Sequence, residues 1–331
     1  MLYKTHLYKV GFVVPESLAC YAYMYMDNQI QAPESGVIVS SSTMPGYQFL
    51  VSESFTKSFT SWPLFILLAG TGIVLSIVTY LLESETVVGV WEVLALTLVM
   101  FISIYFNILS TIVAIKYFLN DGMGDVWSYF QEVVANGWSY LWVISLSMLV
   151  MFSGFIMFII PGLILSTYLM FALHTRAAES ATGMNALVRS TELVRGYWFD
   201  LTGRMIFVTL VMVAVFFSVG FVFGALATIA GLSKDTIELI SLLAFEPVFG
   251  ALGSIISLYA LTVLYKTLVA KKAGITAEPS AVRGWYIGLA VLTPFLMLAV
   301  LALVVLGFMN EFDFVDPAAE EGGMVEMEWG A

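Results

Sequence analysis

Two histidines, His6 and His174, are the only imidazoles in the 331 residues. Either could act as a general base if a nucleophile and an orienting carboxylate stood beside it. His174 lies next to Arg176 at the end of an apolar run, a position suited to an interfacial polar residue. Ser153-Gly154 falls inside another apolar run and offers an intramembrane nucleophile, but small residues at such depth commonly let helices approach one another. No His-Glu-x-x-His pair, Gly-rich phosphate loop or acidic metal cluster occurs. The lone Cys20 excludes an intrachain disulfide or a cysteine zinc site. The expectation is a protein without catalytic residues, metal or cofactor; an intramembrane enzyme is the alternative.

Polar side chains within apolar runs are functional candidates because exposing them to lipid is costly. Asn107 sits mid-run, with Ser103, Ser110 and Thr111 at helical spacing. This stripe is expected to face a bundle interior, either as interhelical hydrogen bonds or as a substrate contact. Glu92 and Glu246 stand at run ends, where a carboxylate stays hydrated. Arg189, Arg195, Arg204, Lys271 and Lys272 could attract anionic headgroups, each by about 1 kcal/mol. The 13 basic residues form no dense patch able to neutralise a row of phosphates, so nucleic acid is not an expected partner. Membrane lipids, anionic ones among them, and a membrane protein partner are the expected ones.

The elements that must position these residues follow from composition. The chain is 60% hydrophobic and 11% charged, with a mean hydropathy of +0.94, whereas soluble domains are about 45–50% apolar and about 25% charged. No water-soluble fold of this size hides so much apolar surface. Runs long enough for a hydrocarbon core of about 30 Å occur at 62–82, 90–119, 138–160, 161–178, 199–231, 245–270 and 285–309. The second and fifth exceed one crossing, which implies tilt or an extension. Pro161-Gly162 divides a continuous apolar stretch and reads as a tight hairpin between the third and fourth spans; one kinked helix with a re-entrant piece is the alternative. Placing the N-terminus in the cytoplasm puts every Lys and Arg except Lys234 on the cytoplasmic side. That orientation predicts a plasma-membrane protein with its acidic C-terminal tail outside. No N-terminal stretch has the order of a cleavable signal peptide, so the first span is expected to direct insertion.

Trp62, Trp138 and Trp198 each open a span after a short amphipathic segment. Eleven residues before them lie Val51, Trp127 and Leu187; eight before, Ser54, Phe130 and Ser190; four before, Ser58, Val134 and Val194. Spacings of three and four put each set on one helical face. The chain therefore reads as three parallel units, each an interfacial helix with an aromatic anchor followed by two spans. The expected fold is an all-α integral membrane bundle of six spans over 47–272, plus a seventh span at 285–309. Residues 1–46 form an N-terminal segment without sustained periodicity, in which Met44 is an alternative start, and 310–331 form an acidic tail expected to be disordered.

The stretch from Gly154 to Gly162, Gly-Phe-Ile-Met-Phe-Ile-Ile-Pro-Gly, a second span to Phe171, and then Ala186-Leu-Val-Arg-Ser190 with Arg195-Gly196 resembles the multi-pass membrane domain of glycerophosphoryl diester phosphodiesterases and related bacterial membrane proteins. Leu264-Tyr265-Lys266-Thr267-Leu268 is similar to that family's closing segment. The resemblance covers roughly residues 47 to 272. It implies a six-span membrane domain whose hydrolytic partner domain is a separate soluble unit, and nothing in this sequence could be that unit. The seventh span departs from the six-span pattern. Together these readings predict a non-catalytic module that organises lipid or an associated protein, with a transporter of a lipid or small molecule as the alternative.

Overall fold

The computed structural model describes residues 44–83, 89–272 and 280–312. Twelve α-helices follow in order: α1 Tyr47–Thr60, α2 Trp62–Glu83, α3 Val90–Leu119, α4 Val126–Ala135, α5 Gly137–Met157, α6 Ile159–Leu169, α7 Ala172–Glu179, α8 Met184–Val194, α9 Trp198–Ile229, α10 Lys234–Ile240, α11 Glu246–Lys271 and α12 Ser280–Phe312. Among the described residues there is no strand. Seven candidate spans are long and apolar enough to cross a membrane, and the chain is an all-α multi-pass bundle. Of the acidic tail read at 310–331, residues 310–312 continue α12 and the rest lies outside the described residues, as does nearly all of the N-terminal segment.

Each amphipathic segment becomes a short helix, α1, α4 or α8, leading into a long apolar one, α2, α5 or α9. The three units are thus visible in the order of elements. The faces of α1 and α8 are those the spacing marks, with Ser54 and Ser58, and Leu187, Ser190 and Val194, all buried. In α4 the register is displaced by one residue. Val133 is its buried residue, while Trp127 and Val134 are exposed. Trp127 instead stacks on Phe130, which stacks on Phe106 of α3, and that aromatic ladder turns the helix. Trp62 and Trp138 stand exposed at the starts of their spans, as interfacial anchors would, whereas Trp198 is partly buried with its ring edge-on to Phe199.

α11 is the central helix. It packs against α1, α2, α3 and α9, burying Ala251 and Ile255 with Leu64, Leu109 and Ile112 on one side, and Ile256 and Leu264 with Leu50, Leu201 and Val208 on another. A π-helical turn, Ser241–Phe245, joins α10 to α11 just before Pro247. Proline has no N–H for the helical ladder, and a wider turn accommodates it. Pro247 then sits against Gly72 of α2, where a Cβ would come within 3.3 Å of it.

Pro161-Gly162 is not the hairpin turn itself. The chain reverses at Phe158, which is extended (φ −166°, ψ 155°). Pro161 lies in the first turn of α6, where its missing N–H leaves no helical bond unmade. Gly162 serves the packing, because a Cβ there would meet the Phe155 ring at 2.4 Å, and one at Gly154 would meet the Gly162 backbone at 3.0 Å. The fourth span is also broken, at Met170-Phe171 between α6 and α7. The seventh span is tied into the bundle, with Thr293 donating to Leu149 O at 2.8 Å and Tyr286 hydrogen-bonded to Thr191 of α8.

Candidate functional site

The broken fourth span exposes backbone groups that must find partners away from the helical ladder. Ser190, fully buried on α8, bridges the break: its hydroxyl donates to Tyr168 O at 2.7 Å and accepts from Phe171 N at 3.1 Å. One turn on, the Thr175 hydroxyl reaches both Ala172 O at 2.9 Å and Ala186 O at 3.1 Å. An amphipathic helix therefore completes a transmembrane one.

His174 lies in the core beside this break, 1% exposed, between Phe171 and Tyr265. The expected interfacial placement is corrected: the break turns α7 inward and carries the ring onto α11. The single hydroxyl proton of Thr262 goes to Leu258 O at 2.7 Å. His174 Nε2 must then be the donor in its 3.2 Å contact with Thr262. Nδ1 is left as a lone pair without a partner among the described residues. Tyr265 donates to Glu179 Oε1 at 2.9 Å, Arg189 Nε donates to Glu179 Oε2 at 2.9 Å, and Arg189 also faces Glu192 at 3.8 Å. Tyr265, Glu179, Arg189 and Glu192 thus join α11, α7 and α8 at the end of the bundle where α2, α5 and α9 begin.

That end carries the basic residues, and the structure separates them. Arg204 is 7% exposed, paired with Asp200, donating through Nε to Pro45 O at 2.9 Å and lying over Tyr47. Arg189 is held by Glu179 and Glu192. Lys272 donates to the backbone carbonyls of Glu192 and Arg195 at the end of α8. Lys271 lies over the Tyr197 ring, and Arg195 projects outward. Lys116 pairs with Glu132, and Lys266 with Asp121 at 2.5 Å. Burial pushes Glu192 above the usual glutamate range, partly offset by Arg189 and Lys272. Burial likewise holds Lys272 below the usual lysine range, with Arg189 and Arg195 acting in the same direction.

The polar stripe on α3 is occupied by its own backbone. Ser103, Ser110 and Thr111 donate to Val99 O, Phe106 O and Asn107 O. Asn107 reaches across to the Thr71 hydroxyl on α2 at 3.3 Å. Glu92 accepts a hydrogen bond from Gly89 N at 3.1 Å at the start of α3.

Thr111 also borders a cleft of about 560 Å³ between α3, α9 and α11, lined by the large side chains of Met212, Phe216, Phe249 and Leu258 and by the small residues Gly250, Gly253, Ser254 and Ser257. The cleft is a feature that the sequence reading missed; the small residues Gly250, Gly253, Ser254 and Ser257, spaced three and four apart, were its signal. Met212 follows Trp198 by 14 residues, and Ser257 precedes Lys271 by 14, so these two cleft residues lie about 21 Å along α9 and α11 from the basic end. That depth lies within a hydrocarbon core of about 30 Å. Among the described residues no His, Cys, Asp and Glu group could hold a metal. No protein-family model, curated protein or solved structure matches this chain.

Proposed function

We propose that the chain is a non-catalytic membrane module that organises lipid, taking an apolar chain from the bilayer into the cleft between α3, α9 and α11. The observation that carries this reading is the cleft: a volume of about 560 Å³, within the range of ligand sites of about 300–1,000 Å³, apolar in lining and placed at membrane depth. The commitment of Asn107 to Thr71 and of the α3 hydroxyls to their own helix favours this reading over transport along a polar stripe. The resemblance of residues 47 to 272 to the phosphodiesterase membrane domains is consistent with a lipid-facing role. The sidedness of the Lys and Arg residues supports a plasma-membrane location with the N-terminus cytoplasmic and the C-terminal tail outside.

The test is photo-crosslinking of the full chain, reconstituted in bilayers containing a phospholipid with a diazirine in its acyl chain. Label is expected on the peptides around Thr111, Met212–Phe216 and Phe249–Leu258. Gly250 lines the cleft and a Cβ there would meet no atom within 4 Å, so Gly250→Leu adds bulk at the cleft without a clash at the backbone and is expected to lower that label. Equal labelling of Gly250→Leu and wild type would reject the reading. Uptake of a soluble molecule into vesicles, unaffected by Gly250→Leu, would replace it with transport.

A further inference from the structure

Four cations at the basic end are neutralised by a carboxylate: Lys116 by Glu132, Lys266 by Asp121, Arg204 by Asp200 and Arg189 by Glu179. Of the others, Arg176 donates to Ser139 and lies over the Tyr140 ring, and two lysines meet at the ring of Tyr197. Lys271 Nζ lies 5.2 Å and Lys272 Nζ 5.6 Å from its centroid. The hydrogen bonds of Lys272 go to the carbonyls of Glu192 and Arg195, the latter at 2.7 Å, which supply dipoles rather than a counter-charge. Arg195 is exposed, and no described side chain pairs with it. Arg189, Arg195, Lys271 and Lys272 are therefore balanced, among the described residues, by Glu179 and Glu192 alone, which leaves two positive charges over. Arg195 and Arg189 both disfavour the charge on Lys272, so an added anion here relieves repulsion as well as making new bonds.

We infer that Lys271 and Lys272, beside the Tyr197 ring, together with the exposed Arg195, whose carbonyl Lys272 holds, bind the phosphate headgroup of an anionic phospholipid in the leaflet bordering this end of the bundle. Tyr197 immediately precedes the apolar helix α9, and Lys271 ends the apolar helix α11, so the cluster sits where helices leave the hydrocarbon and headgroups lie. Guanidinium and ammonium both donate to phosphate oxygens in short charge-assisted hydrogen bonds. Lys272 fastens the end of α11 to the end of α8, which sets Arg195 and Lys271 on a common rigid support. A zwitterionic headgroup brings its own cation into a site already over-supplied with positive charge and is disfavoured. The inference rests on the lipid-organising reading but uses none of the cleft residues, so the two can fail separately.

The experiment uses the full chain in nanodiscs of phosphatidylcholine containing a minor fraction of phosphatidylglycerol. The ratio of the two lipids retained after transfer to a neutral detergent is read by mass spectrometry. Losing a charge-assisted hydrogen bond to phosphate in Arg195→Gln or Lys271→Gln is expected to lower the preference for phosphatidylglycerol at least about tenfold, and the double variant at least about a hundredfold, beyond the about fivefold that any diffuse surface cation contributes. Lys271→Arg is expected to retain it, as is Gly250→Leu even where the cleft label is lowered. Lys57→Gln removes a charge from the same end, and an equal fall there would reduce the effect to diffuse surface charge and overturn the site. An unchanged ratio in the double variant would also overturn it. Inorganic phosphate protecting the chain against heat as well as phosphatidylglycerol does, with that protection lost in the double variant, would assign the cluster to a soluble phosphate and reject the lipid.

Discussion

Replacing Ser190 with alanine tests whether the amphipathic helix α8 is a structural part of the fourth span. The hydroxyl is fully buried and serves two backbone groups at the break, Tyr168 O at 2.7 Å and Phe171 N at 3.1 Å. Ser190→Ala removes both partners at once and adds no bulk. A buried polar group left unpaired costs about 1–3 kcal/mol, so the two together, with some relaxation, predict a loss of about 3 kcal/mol. An ordinary interhelical bond in a membrane protein averages about 0.6 kcal/mol, and the difference separates the two views. The assay is reversible unfolding of the full chain in mixed detergent micelles, followed by circular dichroism, together with hydrogen exchange of the amides around Phe171. Ser166→Ala is the control, because that hydroxyl is exposed and donates to Leu163 O of its own helix. A loss in Ser190→Ala no larger than in Ser166→Ala, with the Phe171 amide still protected, would refute the reasoning.

Asn107→Leu removes the bond to Thr71 and is expected to cost about 0.6–1.7 kcal/mol in the same unfolding assay; a larger loss of function than of stability would instead mark Asn107 as a ligand contact. Gly154→Ala places a methyl 3.0 Å from the Gly162 backbone and is expected to destabilise the α5–α6 hairpin by about 1–3 kcal/mol, whereas Gly70→Ala, facing open space, is expected to be neutral or slightly stabilising. Glu192 has its acidity weakened mainly by burial, so the folded state binds its proton more tightly than the unfolded chain and stability falls as pH rises from the ordinary glutamate value of about 4.3 through the raised one. Glu192→Gln is expected to flatten that part of the stability–pH curve; an unchanged slope in detergent unfolding would contradict this.

The seven spans were legible because lipid demands continuous apolar runs and tolerates few substitutes. The ends of α3 agree with the sequence reading to the residue, and those of most other spans fall within a few residues, while the sixth span, read from 245, begins at Lys234 once α10 and the π-helical turn are included. Details set by side-chain contacts across the bundle were less legible. Pro161-Gly162 announces a break in helix, but both residues are also compatible with the first turn of a new one. The reversal therefore falls at Phe158, where α5 and α6 reach the closest approach that Gly154 and Gly162 permit. In α4 the aromatic ladder from Trp127 through Phe130 to Phe106 shifts the buried face by one residue, and hydropathy spacing cannot anticipate a stacking partner on another helix.

Charge at the basic end shows the same division more sharply. Sidedness requires Lys and Arg near one set of span ends, and this requirement is met by residue type alone, whatever the side chains touch. Sequence therefore placed Arg189, Arg195, Arg204, Lys271 and Lys272 in one class. Three-dimensional contact splits them: Arg204 closes onto Asp200 and Pro45 O, Arg189 onto Glu179 and Glu192, and Lys272 onto the last carbonyls of α8. Glu179 and Tyr265, 86 residues apart, meet at 2.9 Å, a closure that requires the break at Met170-Phe171 to aim α7 across α11. The break that buries His174 thus also brings Glu179 to Arg189, while Arg195 stays exposed and Lys271 lies over the Tyr197 ring.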